Sequence, residues 1–347
     1  RLRPRRKQGM MVPARHLTGR PALGRRQILA GGAALASAAK LIGKARAATP
    51  RLRMVVFSAP SLGAFLPPII AAQGFDAKND LAIDFVERPP DAYTVAFNTG
   101  EFELGGSAAP LTIGLADARG VEVTYLFNLF DYWGTVVTAR PEIKTVADLE
   151  GRDLAAARGT TNYTMFLWFA RKMGADPAKF AVVNTTPAGL ITYAMTDRAA
   201  AVQIWEPAYT LLKARKPEIR RLDLKLREHW QDVAGTPQIP YLGVAAQRGW
   251  VARNAALIPR LEAAYRDAAA WLLANPGAAA KLIAPRGSDE ERQAIVALVR
   301  ANDRLGLNIR AAGALRGALQ TVYRAGMEVG FLPRMPDEAT IYRGTNG

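Results

Sequence analysis

Four short stretches of the chain carry side chains suited to holding a small polar molecule. Ser58-Ala59-Pro60-Ser61 offers two hydroxyls, with Phe65 close behind. Gly105-Gly106-Ser107-Ala108-Ala109-Pro110 offers one hydroxyl, among residues small enough to let backbone approach a ligand. Arg158-Gly159-Thr160-Thr161-Asn162-Tyr163 sets two threonines ahead of a helical run. Either threonine can cap that helix, and a helix N-terminus aims free N–H groups at an anion or a polar oxygen. Trp205-Glu206-Pro207 sets an indole beside a carboxylate, and Tyr132-Trp133 marks one more junction of the same kind. Hydroxyls, oriented N–H groups and aromatic faces bind and orient. Capping also accounts for a Ser or Thr at a strand–helix turn, and core packing also accounts for each aromatic. Three such turns in matching places point to a ligand cleft.

The composition excludes much other chemistry. The 347 residues include no cysteine, which removes disulfides, thiolate metal sites, Cys nucleophiles and iron–sulfur clusters. The two histidines, His16 and His229, are too few for a His-rich metal centre. His229 stands in a charged stretch with Arg227 and Glu228, read as exposed. No Walker loop, dinucleotide-binding glycine fingerprint, H-E-x-x-H or G-x-S-x-G is present. No cofactor and no metal are expected. An enzyme working on a pyrimidine-like or small organic substrate with carboxylates alone is the alternative to a binding protein.

The elements that must position these turns alternate. Met54-Val55-Val56-Phe57 predicts a buried strand over 52–58. A helix over 62–73 ends at Gly74, a strand over 81–87 is broken by Pro89-Pro90, and a helix over 92–98 is closed by Gly100. A strand over 102–105, a helix over 111–118 and strands over 121–128 and 135–139 follow. After Pro141 a second series begins: a helical turn over 146–149, strands over 153–157, 180–185 and 200–204, and helices over 162–173, 189–196 and 207–214. Helices then dominate. Ile258, Leu261, Tyr265, Ala268 and Leu272 recur on one helical face, with further helices around 295–305 and 311–327. Regular βα alternation predicts an α/β fold with largely parallel sheets, and two series predict two lobes with a cleft between them. Ligands of such sheets bind beyond the carboxyl ends of strands, where the turns above fall.

The net charge of +16 suggests nucleic acid until its distribution is examined. Residues 1–48 hold twelve Lys and Arg and no acid, and the remainder carries 34 basic against 30 acidic side chains. No nucleic-acid partner is therefore expected. Gly24-Arg25-Arg26-Gln27-Ile28-Leu29, the Ala/Gly-rich run over 30–39 and the small residues Ala45-Arg46-Ala47-Ala48 read as a secretory signal. The pair Arg25 and Arg26 with a weakly apolar run reads as a twin-arginine export signal. A basic amphipathic surface helix is the other reading. Met10 or Met11 is a candidate start. The product is expected to be a soluble periplasmic monomer, handed out by the export translocase.

Residues 197–209, DRAAAVQIWEPAY, resemble the stretch of ABC-transporter periplasmic solute-binding proteins of the nitrate/sulfonate/taurine/thiamine-pyrimidine-precursor type in which a small-residue strand ends in a W-E-P-like motif. Residues 145–161, TVADLEGRDLAAARGTT, with 172–177, KMGADP, and 182–184, VVN, are similar to that family's second lobe. Residues 105–110 look like its first-lobe loop and residues 259–276 like its C-terminal helix. The resemblance spans about residues 52–285 and leaves 286–347 unmatched. It implies a type II periplasmic-binding fold, with lobe 1 formed by 49–134 and 242–347 and lobe 2 by 135–241. Crossings are expected near Tyr132–Val136 and Tyr241–Val244. It further implies that Ser58, Ser61, Ser107, Thr160, Thr161, Trp205 and Glu206 face the ligand, and that the partners are an ABC permease and its ATPase. Two readings of Glu206 stay open: it accepts from an amino group of the solute, or it ties down the helix start at Pro207 or the hinge.

Overall fold

The computed structural model describes residues 48–344, so the segment read as an export signal, with Arg25 and Arg26, lies outside the described residues. The first run comprises β1 (Arg51–Phe57), α1 (Leu66–Gln73), α2 (Phe75–Lys78), β2 (Ala82–Arg88), α3 (Pro90–Asn98), β3 (Leu104–Ala108), α4 (Pro110–Ala118) and β4 (Val123–Asp131). The chain then crosses to β5 (Gly134–Thr138), β6 (Asp153–Ala156), α5 (Thr161–Lys172), β7 (Ala181–Asn184), α6 (Pro187–Met195), β8 (Ala201–Trp205), α7 (Ala208–Arg215), β9 (Arg220–Leu222) and α8 (Leu226–Ala234). It returns through β10 (Pro240–Gln247), α9 (Arg248–Asn254), α10 (Ile258–Ala274), α11 (Pro276–Ile283), α12 (Asp289–Arg300), α13 (Asn302–Leu305), β11 (Leu307–Ala311) and α14 (Arg316–Glu328).

Two sheets result. The six-stranded sheet runs β11-β4-β10-β3-β1-β2 and the five-stranded sheet β7-β6-β8-β5-β9. Two α/β lobes are present, as expected, but the sheets are mixed rather than largely parallel. In lobe 1, β2, β1 and β3 are parallel while β10 runs against β3 and β4, and β11 against β4. In lobe 2, β7, β6 and β8 are parallel while β5 runs against β8 and β9. The reason is connectivity: a strand entering from the other lobe starts at the edge where its neighbours end. Among the described residues no helix is long and apolar enough to cross a membrane.

Strand alternation sends each sheet's side chains into two cores. Met54 and Val56 join Phe127, Leu261 and Tyr265 under α1, α10 and α11. Val55 joins Tyr125, Leu319 and Tyr323 on the other face. Lobe 2 buries Val136, Leu154 and Phe166 on one side, and Val137, Val202 and Leu212 on the other. Each large side chain so buried contributes about 1.5–3 kcal/mol relative to exposure. Lobe 2 residues Trp168, Phe169 and Trp230 share a cluster with Leu319 and Tyr323 of lobe 1, so the lobes meet through apolar surface as well.

Several elements depart from the sequence pattern. The strand expected over 102–105 runs Leu104–Ala108, which puts Ser107 and Ala108 inside β3 instead of in a turn. β9, α8 and β11 are additional. The stretch around His229 is the helix α8; Arg227 and Glu228 are exposed as read, but His229 is half-buried and Trp230 wholly buried. The return crossing precedes β10, so Tyr241–Val244 already lies within the lobe 1 sheet.

Close packing at that return strand requires a glycine. A Cβ on Gly243 would stand 2.3 Å from the Phe127 carbonyl oxygen and 2.3 Å from the Tyr125 hydroxyl. Backbone cannot yield as a flexible side chain can, so Gly243→Ala is expected to cost about 2 kcal/mol or more. Urea unfolding measures this; a variant within about 0.5 kcal/mol of wild type would show that β10 shifts freely.

Candidate functional site

Topology fixes where the candidate residues face. β4 is parallel to β3 and leaves lobe 1 at its carboxyl end, so β1, β2 and β3 also end on the side that meets lobe 2. β5 enters lobe 2 at its amino end and runs against β8, so β8 and its parallel partner β6 end on the facing side. The turns after β1, β3, β6 and β8 therefore border one cleft.

On the lobe 1 edge, Ser58 donates its backbone N–H to the Arg88 carbonyl at 2.9 Å, which sets Arg88, at the end of β2, beside the Ser58 turn. Ser61 caps a short 3₁₀ turn, its Oγ accepting from Gly63 N–H at 3.2 Å. The Ser107 hydroxyl is buried and accepts from Phe57 N–H at 2.9 Å, joining β3 to the end of β1. Ala108 packs in the apolar cluster with Tyr93 and Leu111, and Phe65 sits in the core under α1.

On the lobe 2 edge, Thr160 caps α5. Its Oγ1 accepts from Tyr163 N–H at 3.2 Å and donates to the Ala157 carbonyl at 2.8 Å. Such a cap is worth about 1 kcal/mol. Arg158 is exposed on the same turn. Tyr163 packs on Phe166, with ring centroids 6.2 Å apart, and burial raises its phenol while the Arg158 charge lowers it. Trp205 is half-buried at the end of β8 and packs with the cluster that holds Tyr209.

The hinge tyrosines join the edges. Tyr132, between β4 and β5, stacks on Phe169 at 5.9 Å and donates its hydroxyl to the Asn162 carbonyl at 3.2 Å. Tyr132 folds back over Gly134, where a Cβ would lie 2.5 Å from its hydroxyl. Tyr241 of β10 receives the Asn162 side-chain amide. Burial pushes the Tyr241 phenol up to about 12, against the pull of Asn162 and Thr161, so it remains protonated. The Asn162 Oδ1 is buried without a hydrogen-bond partner. Tyr241 and Asn162 thus join the candidate residues. The sequence marked Tyr241 only as hinge and Asn162 only as part of the threonine turn.

Glu206 points elsewhere. It is 2% exposed, and its carboxylate accepts from Thr210 N–H at 3.0 Å and from Thr210 Oγ1 at 2.8 Å. Arg304 of α13 approaches it to 3.7 Å. Burial raises its pKa, opposed by the Thr210 bonds and the Arg304 charge. Of the two readings of Glu206, this geometry matches the one in which it ties the helix start.

A cavity of ≈ 370 Å³ adjoins the crossing segments, lined by Asp131, Trp133, Arg221, Arg227, Gln238 and Asp303 among others. Asp131 ends β4 and receives Asn308 Nδ2 on both oxygens at 3.0 Å and Asn128 Nδ2 at 3.2 Å. Burial pushes its carboxyl up to about 7, against these bonds and the charges of Arg227 and Arg310.

Two α/β lobes joined by two crossing segments, with strand ends facing across a cleft, define a type II periplasmic-binding fold. The NMT1/THI5 like family matches residues 65–279, and the chain belongs to that family. Among solved structures, it is similar to the periplasmic aliphatic sulphonate binding protein SsuA from Escherichia coli, with a TM-score of 0.69 and 20% identity over 85% of this chain and 98% of that one. The alkanesulfonate-binding protein SsuA from Xanthomonas axonopodis pv. citri bound to MOPS gives a TM-score of 0.65 at 18% identity, over 82% of this chain and 95% of that one. The periplasmic nitrate-binding protein NrtA from Synechocystis PCC 6803 gives 0.59 at 14%, over 82% and 83%. A search of curated proteins returned no match.

The Asp131 environment has a pH signature. A carboxyl whose pKa is higher folded than unfolded holds its proton more tightly in the fold, so stability falls as pH rises from about 4 to about 7. Between about pH 5 and about pH 7.5 this one group is expected to cost about 2 kcal/mol. Asp131→Asn should remove that part of the slope in urea unfolding; equal slopes in the two proteins would mean that Asp131 titrates normally.

Proposed function

We propose that the chain is the solute-binding component of an ABC importer, capturing a small organic anion of the sulfonate type and delivering it to a membrane permease. The observation that carries this reading is the N-terminus of α5, capped by Thr160 and flanked by Arg158, across the cleft from Ser58, Ser61 and Arg88. Oriented N–H groups and arginines favour negative charge. Family membership and the sulfonate- and nitrate-binding proteins of like fold support the same reading. A pyrimidine-type amine would call for a free carboxylate, and Glu206 is already hydrogen-bonded and ion-paired.

In this reading the solute enters between lobe 1 and lobe 2. Thr161 and Trp205 contact it from lobe 2, and Ser58 and Ser61 from lobe 1. Closure follows from contacts that both lobes make only when closed. A micromolar affinity, about −8 kcal/mol, suits such a carrier. Export by the twin-arginine route would bring the folded chain to the periplasm.

A thermal-shift and calorimetry panel on the chain from Ala48 onward tests the proposal, using ethanesulfonate, taurine, nitrate and an aminopyrimidine. Sulfonates are expected to stabilise the fold by about 2.7 kcal/mol at a hundredfold excess over Kd. Stabilisation by the aminopyrimidine alone would overturn the anion reading. Thr161→Ala and Trp205→Ala should each weaken binding about tenfold, about 1.4 kcal/mol, without unfolding the protein. Replacing Arg25 and Arg26 together by lysine should leave the protein in the cytoplasm; periplasmic recovery of that variant would reject the twin-arginine route.

A further inference from the structure

Three ion pairs join the lobes among the described residues, and they differ in burial. Arg215–Glu290 and Lys172–Glu328 are solvent-exposed, a setting in which ion pairs contribute little. The third pairs Arg304 of lobe 1 with Glu206 of lobe 2, whose side chain is 1% exposed. The residue after Arg304, Leu305, is wholly buried in the lobe 1 core, so the Arg304 backbone is anchored in that lobe. Its guanidinium reaches across to lie 5.5 Å from the centre of the Tyr209 ring of α7. The neighbouring Arg227 of α8 donates to the Asp303 carbonyl at 3.2 Å, a second tie on the same short helix.

The energetics of such a pair are one-sided. Thr210 gives Glu206 two hydrogen bonds but no positive charge. Removing the cation leaves a carboxylate in a site that water reaches poorly, which costs far more than losing an exposed pair. Parting the lobes on this flank means drawing Arg304 away from Glu206, so the pair resists opening. A carboxylate already facing a guanidinium is also closed to an ammonium group of a ligand.

We propose that Arg304 is a clasp: carried by lobe 1, it occupies the Glu206 carboxylate of lobe 2, holds the lobes at the angle seen here and keeps that carboxylate from any solute. The clasp does not rest on the importer reading.

The test uses the absence of cysteine, which lets two introduced thiols be labelled uniquely. Asp91→Cys on α3 and Ala188→Cys on α6 are exposed positions on opposite lobes, beside the strand ends that border the cleft. Nitroxides there report the lobe–lobe distance by pulsed electron resonance without any ligand. The labelled parent is expected to give one narrow distribution. Arg304→Met and Glu206→Gln should each broaden it and shift it to longer distance, while Arg215→Ala should leave it unchanged. Distributions in Arg304→Met that superimpose on the parent, in a protein with parental circular dichroism, would overturn the clasp. If Arg304→Met fails to fold, the near-isosteric Glu206→Gln decides alone by the same criterion. Solute binding with unchanged distances rejects the clasp and spares the importer reading; broadened distances without binding of any panel compound do the reverse.

Discussion

Asn128 is wholly buried in β4, three residues before the strand ends at Asp131 and the crossing to lobe 2 begins. Its amide is fully used. Oδ1 accepts from the Tyr125 hydroxyl at 2.9 Å and from Tyr241 N–H at 3.2 Å, while Nδ2 donates to the Asn308 carbonyl at 2.9 Å and to Asp131 at 3.2 Å. One side chain thereby ties β4, β10 and β11 together. The need for it lies in the ladder, because the β4–β10 register shifts between Pro240 and Leu242 and again between Leu242 and Gly243. A shifted ladder leaves backbone groups without strand partners, and buried ones must find others. A fully satisfied buried network is stiff. The freedom to hinge therefore starts beyond Asp131, at Tyr132, and is confined to short segments.

That confinement makes the hinge and the candidate site share residues. Tyr132 lies in one of the two chain segments that link the lobes and Tyr241 in the first residues of β10, just past the other, and both touch Asn162 in the first turn of α5. The same turn holds Thr160 and Thr161, which would meet a solute. Rotation of one lobe cannot leave the α5 N-terminus undisturbed, because its carbonyl and amide are bonded to side chains of the crossing. The Oδ1 of Asn162 in the same turn is buried and has no donor among the described residues.

The βα alternation was legible because apolar runs and breakers are local signals: Gly74 does close α1 with a left-handed φ of 66°, and Thr160 does cap α5. What escaped notice is set by distant partners. The three residues of β9, Arg220–Leu222, have no apolar pattern and become a strand only because β5 offers an edge. Gly105-Gly106 reads as a turn since glycine weakens strands, yet here both lie within β3. Tyr93 packs where a Gly105 side chain would stand, and Met54 and Tyr265 where a Gly106 side chain would stand. The aromatics divide the same way. Phe65 and Tyr163 are adjacent to the right turns in sequence, but their rings enter the cores of their lobes. Type and spacing located the cleft-bordering turns; which side of each turn a ring takes depends on the space its neighbours leave.

Glu206 shows most sharply why a motif cannot assign a role by itself. Trp205-Glu206-Pro207 sets a carboxylate at the end of a cleft strand, and the sequence leaves both a solute amine and an internal donor open as its partner. The choice is made by α13, which the chain builds only after completing lobe 2 and returning through β10. Once the Arg304 guanidinium stands 3.7 Å from the carboxylate, Glu206 is neutralised from within, and Arg88 and Arg158 are left as charges bordering the cleft. Whether Glu206 adds a free negative charge beside those arginines is thus decided by a residue remote from every cleft turn. A chain with the same motif but no cation on that short helix would carry an uncompensated carboxylate there on an almost identical backbone.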